Sequence, residues 1–352
     1  MDQIRNRDRE LTPAPALAGT VGASSTPVLS IVIPTYRRND CVVENVRRLL
    51  PQLDRPDVEL IVLDNCSPVP VAQSLETAFG AEIFGKLSVV RNAGNLGLTG
   101  NSLRIFEMGQ GEYIWPLCDD DAVLPNAVEE MITAIRAGRD LVYLWFPITG
   151  GPIHRKPGLY HGLLDAMEAE PNLFFIALSA NVFQRSYFLS RLRFGYLYSY
   201  SWAPFICPLL SDADNRDNRI AVGANPVAES GILGQAEKWS KLDACIGIRT
   251  LLELPISERA LKCLRTSIDS FTFSTPRLFM DSVVLHDSQR WQLFRLFVER
   301  KYGAISPRAA WWLMLAAAAQ ALPALTRKTV RLMEHMLNRR LLLDVEDRFA
   351  RS

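Results

Sequence analysis

From Val28 onward, short runs of β-branched and aliphatic residues alternate with stretches whose apolar positions recur every three or four residues. The first run, Val28 to Ile33, reads as a buried strand that stops at Pro34-Thr35-Tyr36. Asn39 can cap the next helix, in which Val42, Val43, Val46, Leu49 and Leu50 share helical spacing before Pro51. Val58 to Leu63 and Leu87 to Val90 read as the second and third strands. The third leads through Gly94, Asn95, Gly97 and Gly100 into a helix over Asn101 to Met108. Tyr113 to Leu117 is the fourth strand. A helix starting near Pro125 then carries Val128, Met131, Ile132 and Ile135 on one face and stops at Gly138, and Leu141 to Phe146 is the fifth strand. This alternation predicts βαβ units, hence an α/β fold with a mainly parallel sheet and flanking helices.

Beyond about Gly231 the strand rhythm ends and helical spacing takes over. It places Leu261, Leu264 and Ile268 on one face and makes Trp291 to Tyr302 amphipathic. Three segments follow: a disordered leader over 1–27, a catalytic-type α/β domain over 28–230, and a helical C-terminal domain over 231–352. The leader is first charged, then rich in Ala, Pro, Ser and Gly, with no apolar secretory stretch. The apolar run Ala309 to Leu325 is marginal in length for a bilayer span and contains Pro323, so core packing suits it better. Arg327, Lys328, Arg331, Arg339 and Arg340 are interleaved with Val330, Leu332, Met333, Met336 and Leu337. That pattern fits peripheral contact with an anionic membrane surface, and equally a solvated helix covering the domain.

Composition narrows the chemistry. A formal net charge of +1 over 352 residues is not the balance of a nucleic-acid binder. Six scattered cysteines without a Cys-x-x-Cys pair predict reduced thiols in a cytoplasmic setting. The four histidines lack i,i+4 pairing, which with the cysteine pattern argues against zinc. The Gly-rich turn lacks the Gly-Lys-Ser/Thr of a phosphate loop, and no Gly-x-Gly-x-x-Gly directly follows the first strand.

Polar residues gather where the early strands end: Thr35 and Tyr36; Asp64, Asn65 and Ser67; Asn92 and Asn95; and Asp119-Asp120-Asp121. In an open α/β sheet these carboxyl ends line one crevice, so the four clusters can meet at one ligand. Three adjacent carboxylates repel one another unless a cation sits among them, and oxygen-only donors suit Mg²⁺ or Mn²⁺. A solvated strand-to-helix turn would use the same residues.

Ser30-Ile31-Val32-Ile33-Pro34-Thr35-Tyr36, Val62-Leu63-Asp64-Asn65-Cys66-Ser67, Asn92-Ala93-Gly94-Asn95-Leu96-Gly97, Gly111-Glu112-Tyr113-Ile114-Trp115 and the aspartate triplet, in this order, resemble family 2 glycosyltransferases of GT-A fold. The resemblance covers about residues 28 to 150. With Asn101 and Arg104 it is similar to bacterial O-antigen sugar transferases of abequosyltransferase type. It implies that Pro34, Thr35 and Tyr36 wall a nucleotide base pocket, that Asp64 accepts a hydrogen bond from the base, and that Asn65 and Ser67 support its loop. It also implies that Asn95, Gly97 and Asn101 pass close to the nucleotide. Asp119 and Asp120 approach the ribose and metal, and Asp121, with Asp119, ligates the cation. The implied partners are a nucleoside diphosphate sugar donor and a glycan or lipid-linked acceptor, with the enzyme at the inner face of the plasma membrane.

Inverting transfer needs a general base on the acceptor side. The stretch from Phe194 to Leu210 supplies Tyr196, Tyr198, Tyr200 and Trp202, which suit sugar stacking or core packing, but no carboxylate. Asp212 and Asp214 are the candidate bases, in a stretch that also reads as a charged surface loop. Two competing classes are a non-catalytic sugar-nucleotide or glycan-binding module and a nucleotidyltransferase. Arg37 and Arg38 alone would have to supply the basic loop of the latter.

Overall fold

A computed structural model describes residues 26–85, 87–138, 140–149, 156–170, 177–233, 241–271, 275, 278–279 and 288–321. The expected leader over 1–27 lies almost wholly outside the described residues, and so do the basic segment Arg327 to Arg340 and the end of the run that contains Pro323.

Strands β1 (Leu29–Thr35), β2 (Val58–Asp64), β3 (Ser88–Arg91), β4 (Tyr113–Pro116), β5 (Ala122–Val123), β6 (Leu141–Trp145), β7 (Ile148–Thr149), β8 (Gly158–His161), β9 (Asn181–Gln184), β10 (Arg219–Val222) and β11 (Ala228–Glu229) form two sheets. The large sheet has the order β3-β2-β1-β4-β9-β6-β10-β8, and the small one β5-β11-β7. In the large sheet β9 is antiparallel to both β4 and β6, β8 is antiparallel to β10, and the other pairs are parallel. The parallel strands are near-continuous apolar runs: β1 is buried at six of its seven positions, as a strand covered on both faces must be.

Crossover helices supply the cover: α1 (Asn39–Leu49), α2 (Val71–Phe84), α3 (Gly97–Met108) and α4 (Ala127–Ala137). Helix α1 buries Val42, Val46 and Leu49, each one turn from the next, so its apolar stripe lies against the sheet. Helix α2 has too weak a stripe to stand out in the sequence. Among its residues only Val71 and Leu75 are buried, and Gly80 breaks it with φ of +76°. The sequence pattern also passes over β9, a four-residue strand that opens with Asn181. Its insertion makes the sheet mixed.

Short helices α5 (Leu163–Ala169), α6 (Arg185–Leu189), α7 (Leu192–Leu197) and α8 (Cys207–Leu210) link the later strands. The helical continuation follows the expected trend, with α9 (Lys241–Arg249), α10 (Glu258–Phe271), α11 (Ser288–Tyr302) and α12 (Pro307–Ala321). Ala244 and Ile248 of α9 and Leu264 and Ile268 of α10 join the main core. Leu242, Cys245, Phe294, Phe297 and Ala309 make a second apolar cluster. Among the described residues no helix is long and apolar enough to cross a membrane.

Candidate functional site at the carboxyl edge of the sheet

After β1 the chain moves to β2 and β3 on one side, then returns through α3 to β4 on the other side of β1. The carboxyl ends of β1 and β4 therefore flank the point where strand order reverses, the place where open α/β sheets receive ligands. Thr35 ends β1, and the triplet lies just past β4. Thr35 Oγ1 donates to Asp119 Oδ2 at 2.7 Å across this point. Pro116 has no N–H, and β9 pairs only as far along β4 as Ile114, so beyond that point β4 is held on the β1 side alone, where the Leu117 N–H donates to the Val32 carbonyl at 2.9 Å.

The three aspartates occupy different environments. Asp119 is buried, and its other oxygen accepts from Arg38 Nη1 at 2.9 Å. Asp120 is the outermost; its Oδ2 pairs with the same Arg38 nitrogen at 3.0 Å. Asp121, the expected cation ligand, is buried: Ser179 Oγ donates to Oδ2 at 2.6 Å and the Gly231 N–H to Oδ1 at 2.8 Å. Burial pushes the Asp119 carboxyl up to about 6, opposed by Arg38 and Thr35. Burial likewise lifts Asp121 to about 6, with Asp120's charge adding to the rise and Ser179 opposing it.

Asn45, inside the apolar stripe of α1, fixes this turn. Its amide donates to the carbonyls of Asp119 at 3.1 Å and Asp121 at 2.8 Å, and its oxygen accepts the Val123 N–H at 3.1 Å. Sequence reasoning missed Asn45, although a polar residue at a position that should be buried was a readable signal. It also missed Ser179 and the 229–233 segment, which only pairing of β11 with β5 brings to the triplet. The Leu233 N–H donates to the Asp120 carbonyl at 3.0 Å, and Glu229 stands in register with Ala122.

At the ends of β2 and β3 the expected residues do converge, chiefly on one another. Asp64 is buried and accepts from the Ser67 N–H at 2.8 Å, the Val71 N–H at 3.4 Å and Arg91. Its carboxylate shapes the loop that opens α2. Asn65 Nδ2 donates to Asn95 Oδ1 at 2.8 Å and to the Gly97 carbonyl at 3.2 Å. Asn92 Nδ2 joins Asn65 Oδ1 at 3.0 Å to Asn101 Oδ1 at 2.8 Å. Gly97 has φ of +72°, so glycine suits the turn into α3. Tyr36 is exposed beside the crevice and Pro34 is half-buried.

A hollow of about 630 Å³ opens next to these ends, bounded by Arg37, Arg38, Cys41, Ser67, Val69 and Leu233. Ser67 is the residue of the expected nucleotide set that lines it; Arg38 joins it to Asp119 and Asp120. Arg37 with φ of +60° and Cys66 with φ of +62° hold left-handed backbone in the two flanking loops, and the Arg37 N–H donates to Ser67 Oγ at 3.0 Å. Such conformations cost on the order of 1 kcal/mol each and persist where the surroundings fix them.

Asp212 and Asp214 are not brought to this crevice. Strand β9 ends at Gln184 opposite Tyr113, the first residue of β4, and β10 begins at Arg219 opposite Leu141, the first residue of β6. Segments 185–189 and 211–218 therefore meet at the amino edge of the sheet. There Asp212 Oδ2 accepts from Tyr187 at 3.0 Å, Asn218 at 3.0 Å and Arg191 at 3.1 Å. Burial would raise its pKa, but hydrogen bonds from Asn218, Asn215 and Tyr187 and the charge of Arg191 outweigh this and hold it below the ordinary carboxylate value. Asp214 accepts from Ser257 Oγ at 2.8 Å at the start of α10. The expectation that one of them is the general base is corrected: they stand across the sheet from the triplet and serve to brace the loop. The tyrosines are likewise engaged locally, with the Tyr196 hydroxyl donating to Glu107 at 2.7 Å and Tyr198 and Tyr200 packed edge to face.

This architecture is that of the GT-A glycosyltransferases. The S. aureus TarS 1–349 structure superposes with a TM-score of 0.55 at 16% identity, covering 88% of this chain and 91% of that one. Its complex with UDP-GlcNAc gives 0.55 at 14% identity, covering 88% and 92%. The particular family follows from sequence: residues 30–202 match Glycosyl transferase family 2 and are a domain of that family. A protein of Escherichia coli (strain K12), named as a colanic acid biosynthesis glycosyl transferase, is 28% identical over 102 residues, 29% of this chain and 36% of that protein. An uncharacterized glycosyltransferase of Haemophilus influenzae is 25% identical over 120 residues, 34% of this chain and 38% of its own length. The matched stretch thus spans little more than a third of either relative.

Proposed function

We propose that this chain transfers a sugar from a nucleoside diphosphate sugar to a hydroxyl of a surface glycan or lipid-linked acceptor, with inversion at the anomeric carbon. The observation that carries this reading is the Thr35–Asp119 bond across the strand-order reversal, which holds the acidic triplet at the carboxyl edge of the sheet, where Arg38 links it to the neighbouring hollow. A bacterial surface polysaccharide as acceptor is supported by the colanic acid name of the Escherichia coli relative.

The triplet's donor chemistry fits Mg²⁺ or Mn²⁺, because every side-chain donor in it is a carboxylate oxygen. Asp119, Asp120 and Asp121 are the residues that would hold it. Among the described residues no group of three or more His, Cys, Asp or Glu side chains is arranged to hold a metal alone. Phosphate oxygens of the donor would complete the shell. A bound divalent ion supplies positive charge where the departing diphosphate gains negative charge. Asp64, Asn65 and Ser67 keep the base loop in shape, and Tyr36 offers an exposed ring to the base. Peripheral membrane contact through Arg327 to Arg340 belongs to the same proposal, in keeping with a lipid-linked acceptor.

The test is a panel of UDP-, GDP-, CDP- and dTDP-sugars with Mn²⁺, scored for binding and for release of the nucleoside diphosphate. Metal-dependent binding with slow hydrolytic release from one donor is the expected result. Binding without any release, with or without candidate acceptors, would favour the binding-module reading. Attack at the α-phosphate, seen as sugar phosphate formation, would indicate a nucleotidyltransferase.

A further inference from the structure

Arg38 is the residue before α1, and it reaches in two directions. Its Nη1 lies 2.9 Å from Asp119 Oδ1 and 3.0 Å from Asp120 Oδ2, while its side chain, 24% exposed, also lines the hollow beside the ends of β1 and β2. Its backbone is fixed by α1, through the Val42 N–H on its carbonyl, and by the Arg37 N–H on Ser67 Oγ. The guanidinium can therefore swing without moving the loop.

A guanidinium and a divalent ion drawn to the same carboxylates repel each other, and both oxygens of Asp119 already have partners, Oδ1 in Arg38 and Oδ2 in Thr35. We propose that Arg38 is an exchangeable counter-ion of the triplet. It yields Asp119 and Asp120 to a divalent cation when a nucleoside diphosphate enters the hollow, and its planar fork then turns to the phosphate oxygens. The proposal rests on the donor-site reading given above. Its physical basis is partner exchange. A cation arriving alone strands Arg38 without an anion, whereas a cation arriving with a diphosphate gives it one that accepts two hydrogen bonds. Cation and nucleotide then favour each other by the same factor, and Arg38 makes that coupling larger than direct phosphate ligation alone would. Arg38 is in this sense a positioning residue: it decides when the acidic triplet is open to a cation.

The experiment titrates Mn²⁺ into the wild-type chain, Arg38→Gln and Arg38→Lys, each alone and with UDP, GDP, CDP or dTDP, by electron paramagnetic resonance of free Mn²⁺. Glutamine removes the charge while keeping a polar amide, and circular dichroism checks its fold. Arg38→Gln is expected to bind Mn²⁺ alone about tenfold more tightly than wild type and to lose most of the coupling to nucleotide, while Arg38→Lys, which keeps the charge, binds Mn²⁺ alone as wild type does. Unchanged or weaker Mn²⁺ affinity in Arg38→Gln would overturn the exchange role, and so would an equal gain in Arg38→Lys, which would point to side-chain shape rather than charge. On wild type alone, Mn²⁺ binding as tightly without nucleotide as with it would overturn it whatever the variants do. Failure of all four nucleotides to bind with Mn²⁺ would instead sink the donor-site reading.

Discussion

Asn45 shows how much of the site depends on one amide. Its three bonds hold two carbonyls and one N–H of the triplet turn in a place that water does not reach. Asn45→Ala leaves all three without a side-chain partner, and buried backbone groups without partners cost about 1–3 kcal/mol each. A stability loss of at least about 2 kcal/mol in urea unfolding is expected; a loss below about 0.5 kcal/mol would mean that the turn holds itself. Asp121→Asn asks a different question, because its neighbours tolerate the change. The amide oxygen can still accept from the Gly231 N–H, and the Ser179 hydroxyl can rotate to accept from the amide nitrogen. The variant should keep its melting temperature within a few degrees yet lose Mn²⁺-dependent nucleoside diphosphate binding at least tenfold. Calorimetric titration with an unchanged affinity would remove Asp121 from the metal set. At this scale the sequence exposed the acidic residues, whose cluster is visible in one dimension. It could not rank them, because Asp119, Asp120 and Asp121 differ only in what Thr35, Arg38, Ser179 and Gly231 do to them.

Among elements, the joint between β1 and β4 sets the crevice. Gly111, just ahead of β4, passes so close to β1 that an added Cβ would lie 2.7 Å from the Ser30 nitrogen and 2.9 Å from the Leu29 carbonyl carbon. Both are backbone atoms, so a side chain cannot be accommodated by a rotamer change. Gly111→Ala should destabilise by about 1–3 kcal/mol, the range for overpacking a close contact. Because β4 would shift as a unit, it should also weaken Mn²⁺-dependent nucleotide binding. Normal thermal stability in that variant would show that the two strands can separate freely. The strong elements were legible here: β1, α1, β2, β4 and α4 have long or sharply periodic apolar patterns. Helix α2 and strand β9 were not. One buries only two of its residues along its length, and the other is too short for alternation to register.

For the whole molecule, the buried carboxylates couple stability to pH. Asp119 and Asp121 titrate near 6 when folded against an ordinary 3.8, so between about pH 4 and pH 6 the folded chain holds more protons than the unfolded one. Their contribution to stability is thus greatest below the ordinary value and declines as pH rises through about 6. In EDTA, the urea midpoint of wild type relative to Asp121→Asn should fall between about pH 4 and pH 6; a difference that stays flat would mean that the Asp121 carboxyl is not desolvated. The large sheet also explains the corrected base assignment. Asp212 and Asp214 follow the aromatic stretch in sequence, yet β10 enters the sheet from its amino edge and carries them away from the ligand side. Sequence alone determined that strands and helices alternate, that polar clusters end the early strands, and that three carboxylates follow β4, since these are matters of local periodicity and spacing. Only tertiary structure decided which carboxylates are buried, that Arg38 stands among them, and which edge of the sheet each acidic loop occupies. Those outcomes depend on strand order and direction, which bring together residues more than a hundred positions apart, such as Asp121 and Gly231.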